Sequence, residues 1–109
     1  MATSYKVLGQ VNPAATTATT VYTVAASTEA IVSSIVVANQ AATAGSYRVA
    51  VRPNGDTLAA KHYLAYDISL PANTSDTLTL GVTMDATDII TVYASSANFS
   101  FNAFGSEIA

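Results

Sequence analysis

The fold of this chain is decided by residues Ala30–Asn39, which read AIVSSIVVAN. Isoleucine and valine, the β-branched residues that favour strands, dominate this stretch. It is about half as long as the 18 or so apolar residues of a membrane span. With a period of two, one face holds Ile31, Ile35 and Val37, and the other holds Val32, Val36 and Ala38. Because both faces are apolar, we expect a central strand that is covered on both sides.

Segments with the same period of two surround this stretch, with glycine, proline, asparagine or aspartate between them. In Tyr47–Arg52 the alternation is strict, so that Arg48 and Arg52 point outward. Besides Ala30–Asn39, the predicted strands are Tyr5–Val11, a strand centred on Val21, Tyr22 and Val24, Tyr47–Arg52, His62–Leu70, Asp76–Val82, Ile89–Ser95 and Ala97–Phe104. No segment has an apolar stripe of helical period. The predicted fold is all-β: one antiparallel β-sandwich, jelly-roll-like, of about eight short strands over residues 1–109, with residues 1–20 a candidate for an extended arm.

The same period assigns side chains of the later strands to faces. In the fifth strand one face is expected to hold His62, Leu64, Tyr66, Ile68 and Leu70, and the other Tyr63, Ala65, Asp67 and Ser69. Burial is expected for Leu78, Leu80, Val82, Phe99 and Phe101. The last two strands are expected to pair as a hairpin across Ser96, and Thr57–Lys61 is the best candidate for a helical turn.

The composition of the 109-residue chain indicates a subunit of an assembly. Apolar residues make up 50% and charged residues 10%, whereas an ordinary soluble domain is about 25% charged. A surface so poor in charge is typical of a protein that a partner partly covers. The four cations are scattered within a net charge of −3, a poor footprint for nucleic acid, and no apolar block is long enough for a membrane span. Absence of cysteine excludes disulfides and thiol chemistry, and absence of a secretory signal in the first twenty residues predicts a protein made inside the cell.

The sequence offers little to a catalytic or metal site. His62 is the only histidine, no serine lies in a G-x-S-x-G elbow, and Asp67 falls on the opposite face of a regular strand. We therefore interpret His62 as a strand-end residue that makes a hydrogen bond rather than as a general base. Asp85 and Asp88 are interpreted as turn formers, because calcium sites recruit more oxygen ligands than this pair supplies. We expect no catalytic residue, no cofactor and no bound metal.

Five runs of sequence carry a resemblance to a known class of protein. They are SSIVVANQ (Ser33–Gln40), YRVAVRP (Tyr47–Pro53), HYLAYDI (His62–Ile68), LTLGVTMDATDIITVYA (Leu78–Ala94) and FNAFGSEI (Phe101–Ile108). In this order they resemble small virion structural proteins of tailed bacteriophages, including cyanophages, over nearly the whole chain. The resemblance implies a non-enzymatic β-sandwich that is assembled in many copies on the phage particle.

Composition and resemblance together predict a bacteriophage virion structural protein. The leading hypothesis is a capsid decoration (cement) subunit that stabilises the particle, and the alternative within this class is a tail, baseplate or fibre-attachment component. From another class, a carbohydrate-binding module would use the same fold to present exposed aromatic residues. The expected partners are the chain itself, in a homo-oligomer for which the resemblance favours a trimer, and the major capsid protein or tail proteins. Neither nucleic acid nor membrane is expected as a partner, and the expected location is the virion, assembled in the host bacterial cytoplasm.

Six residues are candidates for the contact with partners. They are Tyr5, Leu8, Arg48, Arg52, Phe104 and Ile108. Each of the two arginines has the geometry to dock a carboxylate of a neighbouring subunit through two hydrogen bonds. In the other interpretation both arginines are solvated and only keep the strand soluble.

Overall fold

A computed structural model of the chain describes residues 2–109. It contains eight strands, and these are β1 (Thr3–Val11), β2 (Thr19–Thr23), β3 (Glu29–Asn39), β4 (Gly45–Arg52), β5 (Tyr63–Leu70), β6 (Thr74–Met84), β7 (Ile89–Ala94) and β8 (Phe99–Ile108). Two single-turn 3₁₀ helices, Pro53–Gly55 and Ala60–His62, precede β5. The predicted all-β fold of about eight strands is confirmed. No helix within residues 2–109 has the length and apolar character needed to cross a membrane.

The strands form two four-stranded antiparallel sheets. Sheet I has the order β1-β8-β3-β6, and sheet II has the order β2-β7-β4-β5. The first strand pairs with the last, the second with the seventh, the third with the sixth and the fourth with the fifth. This is the pairing of one long hairpin, which is rolled up so that β3 also pairs with β8 and β4 with β7. The result is the jelly-roll sandwich that the sequence predicts.

The predicted hairpin between the last two strands is wrong. β7 lies in sheet II and β8 in sheet I, so the short segment around Ser96 crosses from one sheet to the other. Tight connections usually join paired neighbours, which is why a hairpin is the natural expectation from sequence. In a rolled hairpin, however, consecutive strands belong to opposite layers, apart from the central pair β4 and β5.

The core fills the space between the sheets. Its largest fully buried side chains include Phe99, Phe101, Val32, Ile35 and Val37 from sheet I and Tyr47, Val49, Ile90 and Val92 from sheet II. The predicted burial of the two phenylalanines is thus confirmed. The Tyr47 ring contacts both of them, with centroids 6.5 Å and 6.2 Å apart. Tilted and edge-on aromatic pairs of this kind add about 0.5–1.5 kcal/mol to the burial of their surface.

Two hydrogen bonds between tyrosine and carboxylate tie the sheets together at opposite ends of β3. Tyr47 in sheet II donates its hydroxyl to Asp76 in sheet I at 2.9 Å, and Tyr22 donates in the same way to Glu107. Lys6 also pairs with Glu107, at 2.6 Å. Burial and these bonds raise the pKa of both tyrosine hydroxyls. The polar groups between the two sheets at these positions are therefore hydrogen-bonded or ion-paired with one another.

A β-bulge overturns the expectation that β3 is covered on both faces. Ser33 is an extra residue between Val32 and Ser34, and it shifts the alternation by one position. Ala30, Val32, Ile35 and Val37 therefore all face the core, while Ile31 stays 40% exposed. On β6 the bulge includes Gly81, whose φ of 62° is left-handed, and the neighbouring Leu80 is exposed rather than buried as predicted. Leu78 and Val82, also predicted as buried, are half-buried.

β5 is also irregular, and the predicted division of its faces is wrong. Leu64 is an extra residue between the pairs Ala65–Val49 and Tyr63–Ala50. A second irregularity lies at Asp67, whose φ is 51°. Of the face predicted from period two, Leu70 is buried within the strand, whereas Leu64, Tyr66 and Ile68 are exposed. His62 is buried, but it lies in the 3₁₀ turn Ala60–His62, the only helical turn that forms in the region of Thr57–Lys61.

Candidate interaction surfaces

The outer face of sheet I carries a patch of apolar side chains, which we call the apolar patch. It consists of Tyr5, Val7, Ile31, Phe104 and Ile108. Ser106 pairs with Tyr5 on one side and with Ile31 on the other, while Phe104 and Ile108 flank it on the same face of β8. Tyr5 is 84% exposed, and the two β8 residues are half-buried. The patch thus spans three adjacent strands.

Three of the four charged side chains in the strands of sheet I turn away from this face. The strands of sheet I contain four charged residues, which are Lys6, Glu29, Asp76 and Glu107. Lys6, Asp76 and Glu107 lie at inner positions of the register, where they pair with each other or with the two tyrosines of sheet II. Glu29 lies on the outer face at one end of β3, opposite Ile108 and two residues from Ile31. The outer face is therefore uncharged over most of its length.

The size of this face suits a contact with another protein. Four strands about 4.8 Å apart and about ten residues long give a face of about 600 Å², at about 3.3 Å per residue. A standard interface buries about 800 Å² on each partner. A partner would therefore have to cover the whole face and some of its rim. Burial there would desolvate hydroxyl and amide groups and almost no charge, which keeps the cost of the contact low.

The outer face of sheet II has a different chemistry. The Arg48 guanidinium lies between the rings of Tyr66 and Tyr93, 4.2 Å and 4.1 Å from their centroids. It donates two hydrogen bonds to the Asp67 carboxylate, at 2.6 Å and 3.3 Å, and the bond to Asp67 raises the pKa of Arg48. Tyr63 stands edge-on to Tyr66, with centroids 4.8 Å apart. We call these five residues the tyrosine–arginine patch.

A pocket of about 590 Å³ opens beside this patch. It is lined by Leu58, Ala59, Ala60, Tyr63 and Tyr66. His62 shapes one wall, because its Nδ1 accepts a hydrogen bond from the Ala59 N–H at 3.0 Å. The imidazole is buried, and its Nε2 makes no hydrogen bond within residues 2–109, the Asp56 carboxylate lying 3.7 Å away. The interpretation of His62 as a residue that makes a local hydrogen bond fits this geometry.

The six predicted contact residues are divided between the two faces. Tyr5, Phe104 and Ile108 come together in the apolar patch. Leu8 is the extra residue of a bulge in β1, and it packs against the core. Arg48 and Arg52 lie on the opposite side of the molecule, and both have partners in their own chain: Arg52 donates to the hydroxyl of Thr91 and to the Asp56 carbonyl. Docking of a partner's carboxylate on these arginines stays a prediction.

Asp85 and Asp88 close a turn, as their sequence context indicates. The Asp88 carboxylate accepts hydrogen bonds from the N–H groups of Asn54 and Asp85, and Asp85 accepts one from Ala86. These bonds join the β6–β7 turn to the 3₁₀ turn after β4.

The comparisons with family models, with curated proteins and with solved structures gave no match for this chain.

Proposed function

We propose that this chain is a non-enzymatic structural subunit of a bacteriophage particle, a capsid decoration protein that associates through the outer face of sheet I. One observation carries the proposal: the outer face of sheet I holds a cluster of exposed apolar side chains and, within the strands of sheet I, only one charged side chain, Glu29 at its end, in a chain that is only 10% charged. The virion context comes from the sequence resemblance. Jelly-roll sandwiches serve as capsid domains and also as lectins, so the fold by itself does not decide between these functions.

A protein present in many copies on a particle can use a contact face of this kind. Tyr5, Val7 and Ile31 are exposed, and among the strands of sheet I the only charged side chain on their face is Glu29 at the end of β3, so covering them removes mainly apolar surface from water, at about 25 cal/mol per Å². A face of this size gives a modest affinity for one contact. In a closed ring, such as a trimer, several contacts form at once and raise the overall affinity. The major capsid protein would then meet an oligomer rather than a monomer.

A tail, baseplate or fibre-attachment role would use the same chemistry at another place on the particle. Labelled antibody on purified particles separates the two, since decoration would label the capsid shell and attachment would label the tail. The position of the label on the particle decides between these two roles, and in both roles the contact is the outer face of sheet I.

The test of the proposed contact is a charge placed in the apolar patch. Ile31→Asp and Tyr5→Asp each put a carboxylate where the contact would desolvate it, so we expect both variants to be folded monomers that do not bind phage particles prepared without the chain. Leu64→Asp is the matched control, because Leu64 is 44% exposed on β5 against 40% for Ile31 on β3. Light scattering, circular dichroism and co-sedimentation with particles give the readouts.

Wild-type protein and Leu64→Asp should give the same oligomer and the same occupancy on particles. If the wild-type chain is a monomer at tens of micromolar and Ile31→Asp binds particles normally, sheet I is not the contact. If only Leu64→Asp loses binding, the contact lies on sheet II. Either result would overturn the assignment of the outer face of sheet I.

A further inference from the structure

We infer that the pocket beside the tyrosine–arginine patch binds a neutral sugar ring. Three of the six tyrosines of the chain meet on this face, on β5 and β7, although nothing in the proposed association through sheet I needs them. Tyr66 is 55% exposed, a high value for a residue that already stacks on a guanidinium. The inference does not depend on the virion role, because it concerns the opposite face of the sandwich.

The two tyrosines that line the pocket form a corner. The rings of Tyr63 and Tyr66 are at 82° to each other with centroids 4.8 Å apart. A pyranose ring is itself amphipathic: its axial C–H groups make an apolar face that packs on an aromatic ring, while its hydroxyls point outward around the rim. The corner offers one wall to the face of such a ring and a second wall to its edge. Tyrosine suits this contact because its ring is apolar and its hydroxyl bonds to polar groups.

Arg48 and Asp67 lie outside the pocket lining but next to its residue Tyr66, and they supply charged groups at its border. Only Nε and one terminal nitrogen of Arg48 donate to Asp67, so the other terminal nitrogen lies outside that pair. The Asp67 side chain is 47% exposed, which leaves carboxylate lone pairs accessible from solvent. A donor and an acceptor side by side match two neighbouring hydroxyls of a sugar, each of which both donates and accepts.

Charge decides in favour of a neutral ligand. The carboxylate of Asp67 neutralises the guanidinium of Arg48 at 2.6 Å, so a phosphate or sulfate would have to displace it. Stacking between Tyr66 and Tyr93 also holds the guanidinium in one orientation before any ligand arrives. A donor that is already oriented loses little entropy on binding. The volume of about 590 Å³ is within the range of about 300–1,000 Å³ for small-molecule sites.

The experiment titrates isotope-labelled full-length protein with methyl glycosides of glucose, galactose, mannose and N-acetylglucosamine. At about 10 mM, amide shifts report a dissociation constant of about 1 mM or tighter. We expect at least one glycoside to give a saturable shift of the amides of Ala59, Tyr63 and Tyr66. Tyr66→Ala should weaken binding at least about tenfold, which is the effect of losing about 1.4 kcal/mol. Gln40→Ala, an exposed side chain in the connection after β3 and outside both patches, is the control and should bind as the wild type does.

A second variant tests the role of charge. Asp67→Asn leaves the Arg48 guanidinium without its counter-ion, so we expect the preference to reverse, from the neutral glycoside that the wild type binds to glucuronate in the variant. A merely structural role for Asp67 would not produce this reversal. The inference is overturned if no glycoside perturbs the pocket or if Tyr66→Ala binds as tightly as Gln40→Ala. It is also overturned if Tyr66→Ala instead lowers the mass of the oligomer, which would make the patch a protein contact.

Discussion

The two outer faces of the sandwich hold their side chains in place by different means. On sheet I the apolar patch lies over closely packed backbone, and its geometry follows from the register of β1, β8 and β3. On sheet II the tyrosine–arginine patch lies over two irregularities of β5 and is held by an ion pair and by stacked rings. One fold therefore presents a neutral face suited to burial by a protein and a polar, aromatic face suited to a small ligand. The stability of the first should depend on packing and that of the second on charge.

The largest expected effect comes from Gly105→Ala, beneath the apolar patch. A Cβ on Gly105 would lie 1.9 Å from the carbonyl oxygen of Ile31 and 3.1 Å from a methyl carbon of Leu8. Because a backbone carbonyl in the middle of a sheet cannot move aside, we expect a loss of about 3 kcal/mol or more in the free energy of unfolding, measured by urea denaturation. Gly81→Ala is the control: it meets nothing within 4 Å and carries only the strain of a φ of 62°, which costs about 1–2 kcal/mol. Equal losses in the two variants would contradict close packing beneath this face.

A smaller effect is expected where the two sheets are tied together. Tyr47→Phe keeps the ring packed on Phe99 and Phe101 but removes the hydroxyl that donates to Asp76. The carboxylate loses its partner at the rim of the core, so unfolding should be easier by about 1–2 kcal/mol in chemical denaturation. Tyr93→Phe is the control: its ring still stacks on Arg48, and the free energy of unfolding should change by no more than about 0.5 kcal/mol. A Tyr47→Phe variant as stable as Tyr93→Phe would show that this tie does not stabilise the sandwich.

The sequence predicts the jelly roll because all eight strands carry a period of two and end at turn residues. It does not reveal which face of β3 is buried, because both alternations of Ala30–Asn39 are apolar. The extra residue Ser33 then decides the matter, and its effect is to place Ile31 outside. A one-residue bulge changes the face of every later side chain without changing the composition. The sequence analysis therefore selects only three of the five residues of the apolar patch as contact candidates, namely Tyr5, Phe104 and Ile108.

The alternation of the sequence does not predict the tyrosine–arginine patch either, because a bulge in β5 shifts the alternation. Tyr63 and Tyr66 are three positions apart, which assigns them to opposite faces of a regular strand. The extra residue Leu64 brings them to one face, where their rings meet. Asp67 reaches Arg48 only because its backbone is left-handed, a conformation that aspartate tolerates better than most residues. Both surfaces thus depend on bulges, which period alone does not locate.

Acid should weaken the ion pair between Lys6 and Glu107 and the hydrogen bond from Tyr22 to Glu107, which together hold the Glu107 carboxylate on the inner side of sheet I. Hydrogen bonds from Lys6 and then Tyr22 lower the pKa of Glu107 below its ordinary value of about 4.3. A carboxyl whose pKa is lower in the folded state stabilises fully above the unfolded pKa, and this contribution is lost as the pH falls through the folded pKa. The thermal midpoint of the wild type should therefore exceed that of Glu107→Gln at pH 7, and the difference should shrink as the pH falls below about 4.3 and disappear once the pH is below the lowered pKa of the folded state.

Lys6→Gln sharpens this measurement, because it removes the largest cause of the lowered pKa. The stability that its Glu107 carboxylate contributes should be smaller than in the wild type, and its loss in acid should be complete at a higher pH, closer to the ordinary glutamate pKa of about 4.3. A difference between wild type and Glu107→Gln that stays constant from pH 7 down to about pH 3 would show that the Glu107 carboxylate contributes nothing by its charge.

The smallest expected effect concerns salt and the tyrosine–arginine patch. Arg48→Met removes an ion pair that solvent reaches, and such pairs contribute little to stability, so the thermal midpoint should change less than in Gly105→Ala or Tyr47→Phe. Raising the salt from about 0.02 M to about 0.5 M should reduce even this difference, because screening acts over only a few ångströms at the higher concentration. Association through the apolar patch should persist over the same range, since apolar burial is not screened. Light scattering and thermal melts on the same samples measure both quantities. If the oligomer dissociates as the salt rises, charged groups hold it together, and Arg48 and Arg52 on sheet II become the contact residues in place of Tyr5 and Ile31.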